Sequence, residues 1–300
     1  MDTGLIEEIR ALKRSKRAII LAHNYQNPEI YEVADFIGDS LELSRQAQSV
    51  RTDLIVFCGV RFMAETAKLL NPRTKVILAE PAAGCPMADM ITAQALRQKR
   101  VELGGELVVA YVNTTAAVKA EADICCTSAN ALKVIRSLPQ DKTILFVPDK
   151  NLGRWVARET GYQIISWDGF CYVHSLFTIE DIRQARKEHP NAVIVAHPEC
   201  SLEVIDASDR VASTSGMLRL AQEYDELVLA TEQGMCNRIN KEYSGKRCFP
   251  LRRTAICRNM KLTTLEKVRA ALSGQVPEIV ISHDVAERAR RSLERMLAIS

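Results

Sequence analysis

A chain of 300 residues with 47% apolar and 26% charged residues has a soluble globular composition and room for one large or two to three small domains. A net charge of +3, with no Lys/Arg run interleaved with aromatics, argues against a nucleic-acid partner, and no apolar stretch approaches a membrane span. The N-terminus is charged and helix-patterned, unlike a signal peptide, so the chain reads as cytoplasmic. Nine cysteines in that setting point to metal or catalytic roles before disulfides, intracellular disulfides of hyperthermophiles being the exception.

In chain order, short apolar runs alternate with amphipathic helical patterns: "AIILAH", "LIVFCG", "KVILAE", "LVVAYV", "TILFVP", "QIISW", "VIVAH", "LVLAT" and "EIVIS". Most are apolar throughout, as expected of parallel strands covered on both faces. The alternation has a period. Asp35, Asp123 and Asp209 each follow by twelve residues a strand-end residue, His23, Tyr111 or His197. Each precedes by five a hydroxyl opening a helical stretch, Ser40, Ser128 or Thr214. Cys85, Cys171 and Cys257 come 50, 48 and 48 residues after the three aspartates, and lie 86 residues apart. Seven residues after each cysteine stands a candidate N-cap, Thr92, Thr178 or Thr264, and five further an arginine, Arg97, Arg183 or Arg269.

The fold expected is therefore α/β: three homologous three-layer αβα domains with parallel sheets around a pseudo-threefold axis. Residues 1–87 plus 261–300 form the first unit, 88–173 the second and 174–260 the third. "EIVIS" and the terminal Arg-rich helix are expected to pack back onto the first unit.

Strand C-termini and helix N-termini share one edge in such units, and ligands gather there. His23 and Tyr25, Tyr111 and Asn113, and His197 and Glu199 all fall on that edge. Ser40, Ser128 and Thr214 stand where helix N-H groups favour anions. Three such edges around one axis imply a central cavity for a small polyanion. The same axis gathers Cys85, Cys171 and Cys257, each ahead of a helix whose field favours thiolate. Singly, each is best read as a small buried hydrophobe. As an equally spaced trio they read as metal ligands, for zinc or for an iron-sulfur cubane with one iron free of cysteine.

Of the other cysteines, Cys58, Cys125 and Cys126 read as buried thiols, Cys200 as lying near the site, and Cys236 and Cys248 show no partner pattern. His174 joins His23 and His197 in the edge motifs, whereas His189 and His283 read as surface residues.

The blocks "LAHNYQNPEI", "ADFIGDSLELSR", "GVRFMAETAK", "CPMAD", "YVNTTAAVKAEAD", "TSAN", "PDKNLG", "HPEC" and "NMKLTTL" span essentially the whole chain. In them the sequence resembles the quinolinate synthase family. The resemblance implies three homologous α/β domains and a 4Fe-4S cluster with three cysteine ligands, Cys85, Cys171 and Cys257. It implies condensation of iminoaspartate with dihydroxyacetone phosphate to quinolinate, with loss of phosphate and water, in NAD biosynthesis. An aspartate oxidase or dehydrogenase supplying the imine is implied as partner.

By motif, Glu199, His197, Tyr25 and Tyr111 carry over as catalytic residues, Glu199 as general base. His23, Ser40, Asn113, Ser128, Thr214 and His174 carry over as substrate-binding. Three positions depart from the family pattern: Phe170 before the middle cysteine, Ser215 where a glycine is usual, and Asp89 for Asn. Rival readings are another non-redox iron-sulfur hydro-lyase and a non-catalytic iron-sulfur sensor.

Overall fold

The computed structural model describes residues 3–299; Met1, Asp2 and Ser300, which the expected first unit included, lie outside the described residues. The first unit comprises α1 (Thr3–Ser15), β1 (Ala18–His23), β2 (Phe36–Gly38), α2 (Ser40–Ser49), β3 (Leu54–Cys58), α3 (Arg61–Leu70) and β4 (Lys75–Leu78). The second runs α4 (Ala93–Glu102), β5 (Leu107–Tyr111), α5 (Ala116–Lys119), β6 (Ile124–Cys126), α6 (Ala131–Arg136), β7 (Ile144–Val147), α7 (Lys150–Thr160) and β8 (Ile164–Ser166). The third follows with α8 (Ile179–Glu188), β9 (Val193–Ala196), α9 (Leu202–Ala207), β10 (Arg210–Val211), α10 (Thr214–Glu223), β11 (Glu226–Ala230), α11 (Gly234–Glu242) and β12 (Arg247–Pro250). Then come α12 (Leu265–Leu272) and α13 (His283–Ile299).

The strands form three separate four-stranded parallel sheets with one shared order, β2-β1-β3-β4, β6-β5-β7-β8 and β10-β9-β11-β12. Even the register repeats: Leu21 pairs Phe36, Val109 pairs Ile124 and Val195 pairs Arg210. The two central strands of the first sheet and both of the second are almost wholly buried. Helices cover both faces, which explains apolar runs without alternation.

The repeated aspartates fix this register. The Oδ2 atoms of Asp35, Asp123 and Asp209 accept the backbone N-H of Ile20, Val108 and Ile194, all at 2.8 Å. Each aspartate's own N-H returns to the same residue's carbonyl, at 2.9, 3.0 and 2.9 Å. A cation from the preceding helix closes each clamp: Lys13 at 2.9 Å, Arg100 at 2.8 Å and Arg186 at 2.9 Å. Each short strand therefore reaches its neighbour through a side chain as well as the ladder. Thr92, Thr178 and Thr264 cap α4, α8 and α12 by accepting the N-H of Ala95, Asp181 and Lys267.

Two expectations fail at the C-terminus. Residues 278–282 form no strand; Ile279 donates a single N-H to Val76 O, at 2.8 Å, beside β4. The α12 helix does return to the first unit, against α1, but α13 lies chiefly on α5 and β6 of the second. Its apolar stripe, Ala289, Leu293 and Met296, is buried there, and Ser292 donates to Lys119 O at 2.9 Å. This contact occurs once in the chain, so the repeat carries no sign of it. Ser215 is an ordinary helical residue of α10; among the described residues the only non-glycine with positive φ is Arg17. No helix among the described residues is long and apolar enough to cross a membrane.

Candidate active site

The three strand edges converge on one cavity with an empty volume of about 780 Å³, part of it open to solvent. Its wall includes every residue assigned a catalytic, substrate-binding or metal role from the sequence: His23, Tyr25, Ser40, Cys85, Tyr111, Asn113, Ser128, Cys171, His174, His197, Glu199, Thr214 and Cys257. Each unit contributes a cysteine, a hydroxyl and a pair of strand-end side chains.

The turns after β1 and β9 are built alike. Gln26 N-H donates to His23 O at 3.0 Å and Cys200 N-H to His197 O at 2.9 Å. Within each turn a backbone N-H donates to the imidazole Nδ1: Tyr25 to His23 at 3.2 Å, and Glu199 to His197 at 3.3 Å. Burial, aided by nearby cations at His23 and by His174 at His197, lowers both imidazoles to about 3. Both are therefore neutral at physiological pH, with Nδ1 accepting and Nε2 carrying the proton as a donor.

A continuous hydrogen-bonded chain crosses the cavity. Tyr111 Oη donates to Glu199 Oε1 at 2.5 Å, and His174 Nδ1 lies 2.9 Å from Glu199 Oε2. His174 Nε2 meets Thr231 Oγ1 at 3.0 Å, and Thr231 Oγ1 meets Tyr25 Oη at 2.7 Å. The His197 ring stacks on His174 at 4.5 Å. Burial works to raise the Glu199 carboxyl, but the adjacent imidazoles, His174 foremost, and the two hydrogen bonds outweigh it and hold it at about 2. Burial, with the Glu199 charge, pushes the Tyr25 and Tyr111 phenols well above their ordinary value, so both stay protonated donors. Asn113, on the cavity wall, brings a buried Oδ1 acceptor with no hydrogen-bond partner.

The hydroxyl sites are less alike than their spacing implies. Ser40 and Thr214 are the first residues of α2 and α10, whereas Ser128 lies in a turn ahead of α6. The residue before each differs: Asp39 caps α2 through Leu41 and Glu42 N-H, Ser213 caps α10, and Thr127 Oγ1 accepts Ala129 N-H. An acid beside Ser40 disfavours a second negative charge, so Ser128 and Thr214 are the better anion sites.

The cysteines occupy three copies of one local fold. Each starts three residues before a single 3₁₀ turn, Ala88–Met90, His174–Leu176 or Met260–Leu262. The N-H four residues on bonds back to each cysteine's carbonyl, at 3.2, 3.0 and 3.3 Å. Backbone N-H groups of these turns also favour negative sulfur, but burial prevails and raises all three thiols, Cys85 to about 12. This corrects the expectation of helix-activated thiolates: a 3₁₀ turn, not an α-helix, follows each cysteine, and desolvation is the larger effect. Three half-buried thiols on one cavity wall, each with N-H donors on its sulfur, suit a cluster whose irons replace the protons. A second donor group, Cys171, His174 and Glu199, lies with its ligand atoms within 4.8 Å of one another. There the imidazole and carboxylate already satisfy each other, leaving the thiols as the uncommitted donors.

Sequence reasoning missed Thr231, the bridge between Tyr25 and His174, and two buried acids. Glu232 lines the cavity, accepts Gly234 N-H at 2.7 Å and Cys257 N-H at 3.3 Å, and pairs with Lys261 at 3.1 Å. Asp149 caps α7 through Leu152 N-H at 2.7 Å; burial, then the Glu199 charge, raises its carboxyl well above the ordinary value. The signal was present: both stand two residues past the end of the equivalent strands β7 and β11, in "FVPD" and "LATE".

Phe170 does not line the cavity; its ring faces Lys150 Nζ at 5.2 Å. Cys200 is fully buried and donates to Ala230 O at 3.3 Å, away from the cavity wall. His189 is half-buried on Phe249, with ring centroids 3.9 Å apart.

Comparison with known proteins agrees over the whole length. Residues 7–298 match the family model "NadA: Quinolinate synthetase A protein". A quinolinate synthase of Methanoregula boonei is 54% identical over 99% of this chain and 99% of its own. Those of Desulforudis audaxviator and Pyrococcus furiosus are 50% and 48% identical, covering 98% and 99% of this chain and 98% of each of theirs. The chain therefore belongs to the quinolinate synthase family of enzymes.

Proposed function

We propose that this enzyme condenses iminoaspartate with dihydroxyacetone phosphate to quinolinate, releasing phosphate and water. The observation that carries the reading is the convergence, on one small cavity, of a cysteine from each unit with the Tyr111-Glu199-His174-Thr231-Tyr25 chain. A 4Fe-4S cluster held by Cys85, Cys171 and Cys257 would supply a Lewis-acid iron with no protein ligand.

The protein's own groups divide the remaining work. Ser128 and Thr214 take the most anionic substrate groups, while Ser40 and the neutral Nε2-H donors of His23 and His197 take carboxylate or carbonyl oxygens. Donors without net charge bind anions without holding the dianionic product too tightly. Asn113 Oδ1 accepts from a substrate N-H or O-H. Glu199 is the general base and works through the relay, with its Oε2 set against His174 Nδ1. Run one way, the relay delivers a proton through Thr231 and Tyr25; run the other, it removes one. Tyr25 and Tyr111, both buried, exclude water from the reacting carbons. Nine free cysteines, none in a disulfide, suit a reducing cytoplasm, where an aspartate oxidase or dehydrogenase would supply the unstable imine.

An anaerobic preparation assayed for iron, sulfide and quinolinate tests the reading. Iron and sulfide in equal amounts, near four of each per chain, with quinolinate formed from the two substrates, is the expected result. A zinc-containing or metal-free protein with full turnover would overturn it.

A further inference from the structure

The six cysteines outside the cavity are not equivalent. Cys200 faces Ala230 O, and Cys125 lies 3.3 Å from Ser292 Oγ. Cys236 and Cys248 face each other. Their sulfurs stand 2.8 Å apart, both side chains almost fully buried, one on α11 and the other on the edge strand β12. A covalent S-S bond needs the atoms about 0.8 Å closer. The backbone around the pair is already fixed. Asn240, one helical turn beyond Cys236, accepts Cys248 N-H at 2.8 Å and donates to Cys248 O at 2.9 Å. These contacts hold α11 against β12 whether or not the sulfurs are joined.

We propose that Cys236 and Cys248 form a reversible intramolecular disulfide, a covalent modification site separate from the cluster ligands. The oxidant is a low-molecular-weight disulfide such as oxidised glutathione. One protein thiolate attacks it, forming a mixed disulfide and releasing one glutathione. The second protein thiolate attacks the protein sulfur of that intermediate, closing the S-S bond and releasing the other glutathione. Two electrons and two protons leave the pair and end on two glutathione thiols. Burial raises the Cys236 thiol, so exchange waits on local opening of the edge strand and the exposed turn at residues 244–245.

The bond would staple the helix that adjoins the cavity. Gly234, at the start of α11, is packed so tightly that an added Cβ would come within 3.1 Å of Tyr25 Cα. Arg238, two residues past Cys236, donates to Asn24 in the turn carrying His23 and Tyr25.

The test incubates the anaerobic holoenzyme with reduced and oxidised glutathione at increasing ratio, just below its Tm, until alkylation no longer changes. After quenching with iodoacetamide in denaturant, trypsin cuts after Arg238 and Arg247 place the two cysteines on separate peptides. The expected product is a cross-linked pair lacking two hydrogens, with Cys85, Cys171 and Cys257 alkylated as before. The oxidised form should melt about 5–10 °C above the reduced one, and a Cys236→Ser/Cys248→Ser double variant should lose that difference. Both thiols alkylated at the most oxidising ratio, separate glutathione adducts on each, or a double variant that keeps the shift would overturn the assignment.

Discussion

The two ends of each repeat have diverged to different degrees. Around the strand middles, Asp35, Asp123 and Asp209 make the same two backbone bonds and the same ion pair in all three units. At the strand ends, the same repeat positions present His23, Tyr111 and His197, then Tyr25, Asn113 and Glu199. The first set must satisfy one requirement three times, namely register. The second lines the cavity, and the proposed substrates have no threefold symmetry, so equivalent positions would meet different atoms. Of the residues on the cavity wall, the cysteines alone are identical in all three units, as the proposed centre with three like ligands would demand.

Four measurements can break or sharpen that contrast. The cysteines should act as equals: Cys85→Ser, Cys171→Ser and Cys257→Ser should each lose cluster absorbance and activity, while Cys200→Ser keeps both. Retention of a normal spectrum by any of the first three would break the symmetry. The inner strand-end residues should act unequally. Glu199→Gln should lower kcat by about 10²–10⁴-fold with the cluster spectrum unchanged. Asn113→Ala, at the same repeat position, should cost only about tenfold, the loss of one hydrogen bond.

The third measurement concerns acid. His23 and His197 are held at about 3 in the folded chain, against an ordinary 6.5. Below pH 6.5 the unfolded chain takes up these protons and the folded chain does not. Their contribution therefore favours unfolding increasingly as pH falls from 6.5 toward 3, by about 1.4 kcal/mol per pH unit for each group. A His23→Gln variant should show a shallower fall of Tm between pH 6.5 and 5, and an equal slope would remove this account. The outer frame should give the smallest and most uniform effects. Asp35→Asn, Asp123→Asn and Asp209→Asn should each cost about 1–3 kcal/mol in denaturant melts, alike within about 1 kcal/mol. A much larger value for one would show that the clamps are not equivalent.

Most of this architecture could be read from the sequence because it repeats. The 86-residue cysteine spacing, the aspartates and the threonine caps all reflect backbone requirements that recur, and recurrence is visible in one chain. What escaped was made by contacts that occur once. The α13 helix lies on α5 and β6 of the second unit, and no repeated landmark marks that contact. Thr231 bridges Tyr25 and His174 across 206 and 57 residues of chain, with no repeat mate in that role. Cys236 and Cys248 meet because α11 turns directly into β12, a local geometry that composition does not encode. The thiol charge state was misjudged for a different reason. Helix fields can be read from sequence, whereas the depth of burial that outweighs them cannot.

The hydrogen-bonded chain has a consequence of its own. Tyr25 belongs to the first sheet's edge, Tyr111 to the second's, and Glu199, Thr231 and His174 to the third's side of the cavity. Among the described residues no backbone ladder joins those sheets, so these contacts close only when all three bodies are seated together. A parting at any one seam opens them. The fold thus acts as a coincidence detector, closing this chain of contacts only while the chamber is fully assembled.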